Sequence, residues 1–274
     1  MTRIIFYVGI LLIYSTASFS QTLTKLWTTS DGIKTPESVL YDATSNSIYV
    51  SNIDGNPTEK DGNGFIAVLN TDGTMKNLHW ITGLNAPKGQ AIYNGNLYVA
   101  DIDELVVISI SKVKITKRFK IENAKFLNDV TVSEDGIVFV SDMGDHKIYA
   151  LSGGKLSLWL DDKALENANG LWAEKGQLYV GTAQLLQVNI KSKKITVLIE
   201  KTGGIDGLER LKDGNFIYSN WEGRIFITKG SESIKLLDTV GKQNTADIDF
   251  VPGKNLVLVP TFMANSIDAY TFKP

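Results

Sequence analysis

The chain has 274 residues, of which 43% are apolar, and a formal charge of −2, so it is long enough for a sizeable core of ordinary composition. The near-neutral charge argues against a nucleic-acid partner, because the densest basic run, Lys112 to Lys120, alternates like a solvated outer strand. The absence of cysteine excludes disulfides and thiolate chemistry, and two histidines, His79 and His146, are too few for a multi-histidine zinc centre.

The N-terminus has the pattern of an export signal. Arg3 precedes an apolar run, Ile4 to Tyr14, that is short for a membrane span, and small residues follow up to Ser20. We therefore predict a signal peptide over 1–20 and a single domain over 21–274, with cleavage after Ser20. The mature protein would be periplasmic or secreted and would keep no membrane span; a retained anchor is the alternative.

Six strand-like segments recur at nearly equal intervals along the rest of the chain. Their last polar residues are Asn52, Asp101, Asp142, Thr182, Asn220 and Thr261, which gives spacings of 49, 41, 40, 38 and 41. A period near forty with strand sequence in each repeat is typical of β-propeller blades. The sequence therefore predicts an all-β, six-bladed β-propeller.

Each repeat reads as four strands with a tight first turn, as in Glu134-Asp135-Gly136. The last repeat has too little sequence after its anchor, so we predict that the strand-like segment Leu23 to Thr28 closes the last blade. Asp162 to Asn167 reads as a single helical turn. The long first spacing lies in the turn-rich segment Ile53 to Gly64, which is either a surface loop or a lid over the centre.

The repeat also predicts which residues meet at the propeller centre. Counting back about fourteen residues from each anchor reaches a polar residue every time: Glu37, Lys88, Asn128, Asn169, Asp206 and Asp247. Carboxylates and amides that converge on one narrow channel need a counter-ion, and a hard divalent cation with oxygen ligands supplies it. The alternative is that these side chains cap strands and hydrogen-bond turn backbones.

Four of these segments resemble the signature segments of the SMP-30/gluconolactonase/LRE-like family. They are Pro36-Glu37-Ser38-Val39, Asn128-Asp129-Val130, Ala168-Asn169-Gly170-Leu171 and Ile205-Asp206-Gly207-Leu208. The resemblance implies a six-bladed propeller with one axial divalent metal, most often Ca²⁺, and hydrolysis of lactones. It further implies that Glu37, Asn169 and Asp206 are metal ligands, that Asp206 is also the general base, and that Asn128 faces the metal and holds substrate or water.

The sequence departs from that family pattern at two places. Phe126 stands where lactonases that act on sugar lactones often carry arginine, which argues against a sugar substrate. The paraoxonase branch uses a histidine pair, and His79 and His146 are poorly placed for one. Met143, Trp172, Trp221, Phe262 and Met263 are expected near strand starts or just past anchors, where they either line an apolar cleft or pack the rim.

The sequence therefore favours a metal-dependent hydrolase of lactones or related esters. Its catalytic residues would be Asp206, Asn128 and Lys88, the last supporting an oxyanion or balancing the carboxylates. Its metal ligands would be Glu37, Asn169, Asp206 and Asn128, with Ca²⁺ as the expected cofactor and Zn²⁺ or Mn²⁺ as alternatives. The segment Val140 to Ile148 also resembles NHL repeats, so the competing hypothesis is a non-catalytic propeller that binds a protein, peptide or glycan.

Overall fold

A computed structural model describes residues 21–274, which form six four-stranded antiparallel sheets. The predicted signal peptide over 1–20 lies outside the described residues. The first three blades contain β2 (Pro36–Asp42), β3 (Ser47–Asn52), β4 (Gly64–Asn70), β5 (Met75–Leu84), β6 (Pro87–Tyr93), β7 (Asn96–Asp101), β8 (Glu104–Ser109), β9 (Lys114–Lys120), β10 (Leu127–Val132), β11 (Val138–Asp142), β12 (Lys147–Ser152) and β13 (Lys155–Asp161). The last three contain β14 (Leu171–Glu174), β15 (Gln177–Gly181), β16 (Leu185–Asn189), β17 (Ile195–Ile199), β18 (Leu208–Arg210), β19 (Phe216–Asn220), β20 (Arg224–Lys229), β21 (Glu232–Asp238), β22 (Asp249–Val251), β23 (Leu256–Pro260), β24 (Ile267–Lys273) and β1 (Thr22–Thr29).

The predicted six-bladed propeller is confirmed, including its closure. The sixth sheet has the order β1-β24-β23-β22, so the first strand of the described chain is the outer strand of the last blade. Two β1 side chains bind the buried Asp268 of β24: the Thr28 hydroxyl donates to its carboxylate at 2.6 Å, and Lys25 forms a salt bridge of 2.7 Å. These contacts join the two ends of the propeller, and β1 pairs with the outer edge of β24.

Hydrophobic packing between neighbouring sheets forms the core. The second strand of each blade carries the repeated motif and is almost wholly buried, as in β3, β11 and β19. Outer strands alternate between half-buried and exposed positions, which explains the basic run: β9 presents its lysines to solvent. The sequence pattern thus reflects the distance of each strand from the axis.

Helical structure among residues 21–274 is confined to two short 3₁₀ turns. The turn at Lys163–Leu165 matches the predicted helical turn, and the Asp162 side chain caps it by accepting from the Ala164 amide. The other turn covers Phe262–Ala264 and follows the last anchor strand. Within the described range, no helix is both long and apolar enough to cross a membrane.

Candidate functional site

The six polar residues predicted at the centre occupy one level of the propeller. In each blade the residue two positions after the predicted central residue pairs with a residue of the second strand. In blade 1 Val39 pairs with Val50, and in blade 5 Leu208 pairs with Tyr218. The other blades have the pairs Gln90–Val99, Val130–Val140, Leu171–Val180 and Asp249–Leu258. We call this set the axial ring; its members are Glu37, Lys88, Asn128, Asn169, Asp206 and Asp247.

The register places the anchor of the last blade one residue earlier than the sequence spacing suggested. Pro260, not Thr261, stands level with Asp247, because Asp249 pairs with Leu258. Thr261 instead forms hydrogen bonds across the following turn, where its hydroxyl bonds with the Ser266 backbone. In this blade the polar residue used as the anchor lies in the turn and not at the end of the strand. The distance from Asp247 to the true strand position is therefore one residue shorter than the sequence suggested.

Backbone irregularities lie beside three of the six ring residues. The pairing of the first two strands shifts register at Pro36/Ser38, Pro87/Gln90 and Leu127/Val130, next to Glu37, Lys88 and Asn128. Such bulges bend a strand and redirect side chains. A serine one residue before the anchor accepts a hydrogen bond from an inner-strand amide in three blades, in the pairs Ser38–Ser51, Asp129–Ser141 and Gly207–Ser219.

These serines were missed by the sequence analysis, although the repeat contained them. Ser141 and Ser219 also donate to the carbonyls of Asn169 and Ala246 in the next blade, at 3.0 and 2.6 Å. Ser141 and Ser219 therefore each link the inner strand of their own blade to the inner segment of the next blade. The signal was the recurring Ser-Asn or Ser-Asp pair at the end of the motif in three repeats.

Inner strands of adjacent blades approach closely beside the ring. A Cβ at Gly207 would overlap the backbone nitrogen of Ile248, and one at Gly170 would overlap the Asp206 carbonyl. Glycine therefore permits the contact that brings the Asn169 and Asp206 segments together. Blades 6 and 1 make direct backbone bonds here, from the Val39 amide to the Asp247 carbonyl and from the Asp247 amide to the Glu37 carbonyl.

Three ring members form a polar group with unpaired oxygens. The Asn169 amide group donates to Asp206 Oδ1 at 3.0 Å. Asn169 Oδ1 and Glu37 Oε2 are both buried without a hydrogen-bond partner among the described residues, and their side chains are 9% and 5% exposed. Buried acceptors left unpaired cost free energy, so these two oxygens indicate a missing electropositive partner.

Burial in the channel disfavours the charged form of the ring carboxyl groups. Burial raises the pKa of Glu37 well above its usual range, and nearby Asp206 raises it further, whereas Lys88 lowers it. Burial raises the pKa of Asp206 to about 7, against the lowering effect of the Asn169 hydrogen bond. Burial and the neighbouring Asp129 and Glu37 also raise the pKa of Asp247. Positive charge bound among them would reverse these penalties.

Lys88 is fully buried beside the ring, and its ammonium group is already engaged. It donates to the carbonyls of Ala86 and Pro57 at 3.0 and 3.1 Å and lies 4.5 Å from the ring centroid of Phe126. Burial lowers its pKa, while the charges of Glu37 and Asp101 oppose that shift. Pro57 belongs to the segment Ile53 to Gly64, so this long loop reaches Lys88 from above.

The remaining predicted residues lie at different distances from the ring. Asn128 donates to the Met143 sulfur at 3.6 Å, which places Met143 beside the ring. Trp172 lines the channel on the other side of the ring, whereas Trp221 and Met263 are exposed at the face where the ring lies. His79 packs edge-on against Phe65 in the outer strand β5 and is remote from the axis.

Below the ring lies a cavity of about 260 Å³, lined by residues of five inner strands and by Asp247 and Ile248, which precede β22. It contains the carboxylates Asp129 and Glu209, and Asp249 lies beside it on β22. Asp129 accepts from the Leu171 amide at 2.6 Å, and Asp249 accepts from the Tyr41 amide, so both link adjacent blades. The sequence analysis missed all three, because they fall one to three residues away from the ring position.

The ring suits a hard cation by the chemistry of its donors. Among residues 21–274, no three His, Cys, Asp or Glu side chains lie close enough together to form a metal site on their own. An ion held by Glu37 and Asp206 would therefore depend on the amide oxygens of Asn169 and Asn128. Mixed carboxylate and amide oxygens are ligands that Ca²⁺ accepts, and the two unpaired oxygens belong to this set.

Comparisons with known proteins establish the fold. No protein-family model matches the chain, and no curated protein matches it by sequence. A structure of streptogramin B lyase superposes with a TM-score of 0.69 at 12% identity, covering 94% of this chain and 100% of that one. Catalytically inactive virginiamycin B lyase from Staphylococcus aureus with quinupristin gives 0.63 at 13% identity, covering 92% and 99%.

A third similar structure is the WD40 β-propeller domain of Doa1. Its TM-score is 0.65 at 13% identity, and the match covers 86% of this chain and 78% of that one. These neighbours include lyases and a WD40 domain, and all are distant in sequence. The comparisons therefore support a propeller fold for this chain, and its function has to be argued from its own residues.

Proposed function

We propose that this protein is a metal-dependent hydrolase of lactones or related esters that acts at the axial ring. Glu37, Asn169, Asp206 and Asn128 would hold one divalent cation, Ca²⁺ in the first instance and Zn²⁺ or Mn²⁺ as alternatives. The four segments that resemble the SMP-30/gluconolactonase/LRE-like family support this proposal, since all four contribute to the ring. Export to the periplasm or medium is part of the same proposal and rests on the N-terminal sequence alone.

The observation that carries the proposal is the pair of unpaired buried oxygens, Glu37 Oε2 and Asn169 Oδ1. If the ring only capped strands, its acceptors would bind backbone amides, as Asp129 and Asp249 do lower in the channel. Glu37 and Asn169 instead each leave a buried oxygen without a hydrogen-bond partner, near the carboxylate of Asp206. That arrangement favours a cation site over strand capping.

A bound divalent cation would supply Lewis-acid polarisation of the substrate carbonyl. Asp206 accepts a hydrogen bond from the Asn169 amide, and in the proposed reaction it would accept a proton from the attacking water. As the water oxygen bonds to the carbonyl carbon and the ester carbon–oxygen bond breaks, Asp206 returns that proton to the leaving alkoxide. Two of the three Lys88 N–H donors are used by carbonyls, which leaves one for negative charge near Glu37.

The test is a panel of aliphatic and sugar lactones and simple aryl esters, assayed after chelation and after adding Ca²⁺, Zn²⁺ or Mn²⁺. We expect hydrolysis that chelation abolishes and one of these ions restores. Weak activity on sugar lactones relative to aliphatic ones would agree with Phe126, a residue without hydrogen-bonding groups, near the site. Absence of turnover on every substrate with every ion would contradict the proposal.

A non-catalytic binding propeller is the competing proposal. The exposed Trp221 and Met263 favour it, because large apolar side chains at a loop face are common in binding surfaces. In that case the ring would be structural, and its cation, if bound, would stabilise the fold without supporting turnover. Melting temperatures with and without chelator, compared with the lactone panel, distinguish an empty ring, a structural ion and a catalytic ion.

A further inference from the structure

Two large exposed apolar side chains lie on the same face as the axial ring. Trp221 is 42% exposed and follows Asn220, which stands level with Asp206 in blade 5. Met263 is 70% exposed and follows Pro260, which stands level with Asp247 in blade 6. Of the other large exposed apolar residues, Leu158, Val197 and Ile234 lie on the outer strands β13, β17 and β21, and Val240 lies just after β21.

Phe262 connects this pair to the ring. Its side chain is buried with Ile53, Ala86 and Ile102, and its ring centroid lies 4.5 Å from that of Trp221 in an edge-to-face contact. Ala86 is two residues before Lys88, and the Ile53 amide bonds to the carbonyl of Thr35, two residues before Glu37. Phe262 also has a φ of 44°, which is unfavourable for a bulky residue and requires support from its surroundings.

The opposite side of the face is covered by the segment Ile53 to Gly64. The Pro57 carbonyl accepts from Lys88, and Lys60 forms a salt bridge of 2.6 Å with Asp103. Blades 1 and 2 are therefore covered above the ring, whereas blades 5 and 6 present Trp221 and Met263 to solvent. On this uncovered side Phe262 packs against Trp221, and the neighbouring Glu222 is paired with Arg224.

We propose that Trp221 and Met263 form an apolar entrance wall that selects lactones or esters carrying an alkyl or aryl chain. The inference rests on the proposed function, because it names the substrate class of that site. The carbonyl would lie at the ring, and the chain would extend over Trp221 and Met263 toward solvent. Phe262 positions the wall by holding Trp221 in its edge-to-face contact.

The experiment uses γ-lactones with n-alkyl chains of increasing length, assayed on the ion-loaded protein. In the wild type, each added methylene raises kcat/KM by about two- to fourfold until the chain passes Met263, since a fully buried methylene contributes about 0.8 kcal/mol. Trp221→Ala removes most of this dependence, and Met263→Ser reduces it. Leu158→Ser is the matched control, an exposed aliphatic residue on the outer strand β13, and leaves the dependence unchanged.

Binding of the corresponding γ-lactams, which resist hydrolysis, gives a second readout. Their Kd is measured by titration calorimetry, and it decreases with chain length in wild type and in Leu158→Ser but not in Trp221→Ala. If the lactams show this pattern while no lactone is hydrolysed, the entrance wall stands and the hydrolase proposal fails. If kcat/KM and Kd are independent of chain length, or respond equally in Leu158→Ser and Met263→Ser, the entrance wall is overturned.

Discussion

At the residue scale, the Asn169 side chain has two functions in the proposed site. Its amide group donates to Asp206, and this fixes the side-chain oxygen as the atom left free toward the axis. Glu37 supplies a second free oxygen, and the charge of Lys88 partly offsets the burial that raises the pKa of Glu37. One hydrogen bond therefore orients a proposed base and exposes a proposed ligand at the same time.

The first prediction concerns Asp206. Asp206→Asn keeps the shape and one ligand oxygen but removes the proton acceptor, so we expect kcat to fall by about 10²- to 10⁴-fold. Ion binding should weaken less than activity, since an amide oxygen can still coordinate Ca²⁺. The check is lactone turnover together with the bound-ion content of the same samples. Retention of full turnover in this variant would remove Asp206 from the mechanism.

The second prediction concerns the pH dependence of stability through Asp249. Burial raises its pKa to about 7 from an ordinary value near 3.8, against two backbone hydrogen bonds that lower it. A raised carboxyl pKa means that the folded protein keeps a proton that the unfolded chain has lost. Protonated Asp249 therefore contributes to the free energy of unfolding below about pH 4, and this contribution is lost as the pH rises toward 7.

Asp249→Asn removes this titration. Denaturant unfolding of the ion-free protein from pH 4 to pH 8 should show a smaller loss of stability with rising pH in the variant than in the wild type. Equal slopes of stability against pH would show that Asp249 titrates alike in both states. Asp213→Asn, on a turn at the surface, is the control and should retain the wild-type slope.

At the scale of the strands, the sequence repeat predicted which residues lie at the centre of the propeller, but not the register of the strands around them. The ring positions, the closing strand and the helical turn at Asp162 all follow from the spacing and from turn residues. The register irregularities did not, because a bulge leaves no composition signal in one sequence. The channel carboxylates Asp129, Glu209 and Asp249 were missed because the spacing marked one level of the channel only.

The third prediction concerns the close approach of inner strands. Gly207→Ala would place a Cβ against the Ile248 backbone nitrogen, which belongs to the neighbouring blade and cannot move independently. We expect a loss of about 1–3 kcal/mol in the free energy of unfolding. Gly253→Ala is the control, because its Cβ would meet no atom within 4 Å and its φ is not positive. Equal stability of the two variants would contradict the close packing at the ring.

At the scale of the whole molecule, closure depends on a strand that is remote in sequence from its partners. β1 contributes half-buried Leu23 and Trp27 to two different core clusters and pairs along the full length of β24. Closure was predictable because the last repeat lacked a strand and the segment Leu23 to Thr28 has a strand-like sequence. The function could not be predicted from the fold in the same way, because a propeller can hold many kinds of site.

The fourth prediction is that truncation before Ser30 lowers the melting temperature by roughly 10 °C. The lost contacts of Leu23 and Trp27 amount to about 3 kcal/mol, and a domain of this size loses roughly 2–4 °C for each kcal/mol. The buried Asp268 also loses Lys25 and Thr28. A melting temperature equal to that of the chain that begins at Gln21 would show that β1 does not close the propeller.

The axial cation is the central claim, and calorimetric titration of the chelator-treated protein with Ca²⁺ tests it most directly. The account predicts one equivalent of Ca²⁺ per chain in wild type and in Asp249→Asn, a control from the same channel. It predicts no saturable binding in the double variant Glu37→Gln with Asp206→Asn. Absence of binding in wild type for Ca²⁺, Zn²⁺ and Mn²⁺ alike, or binding unchanged in the double variant, would contradict a cation at the ring.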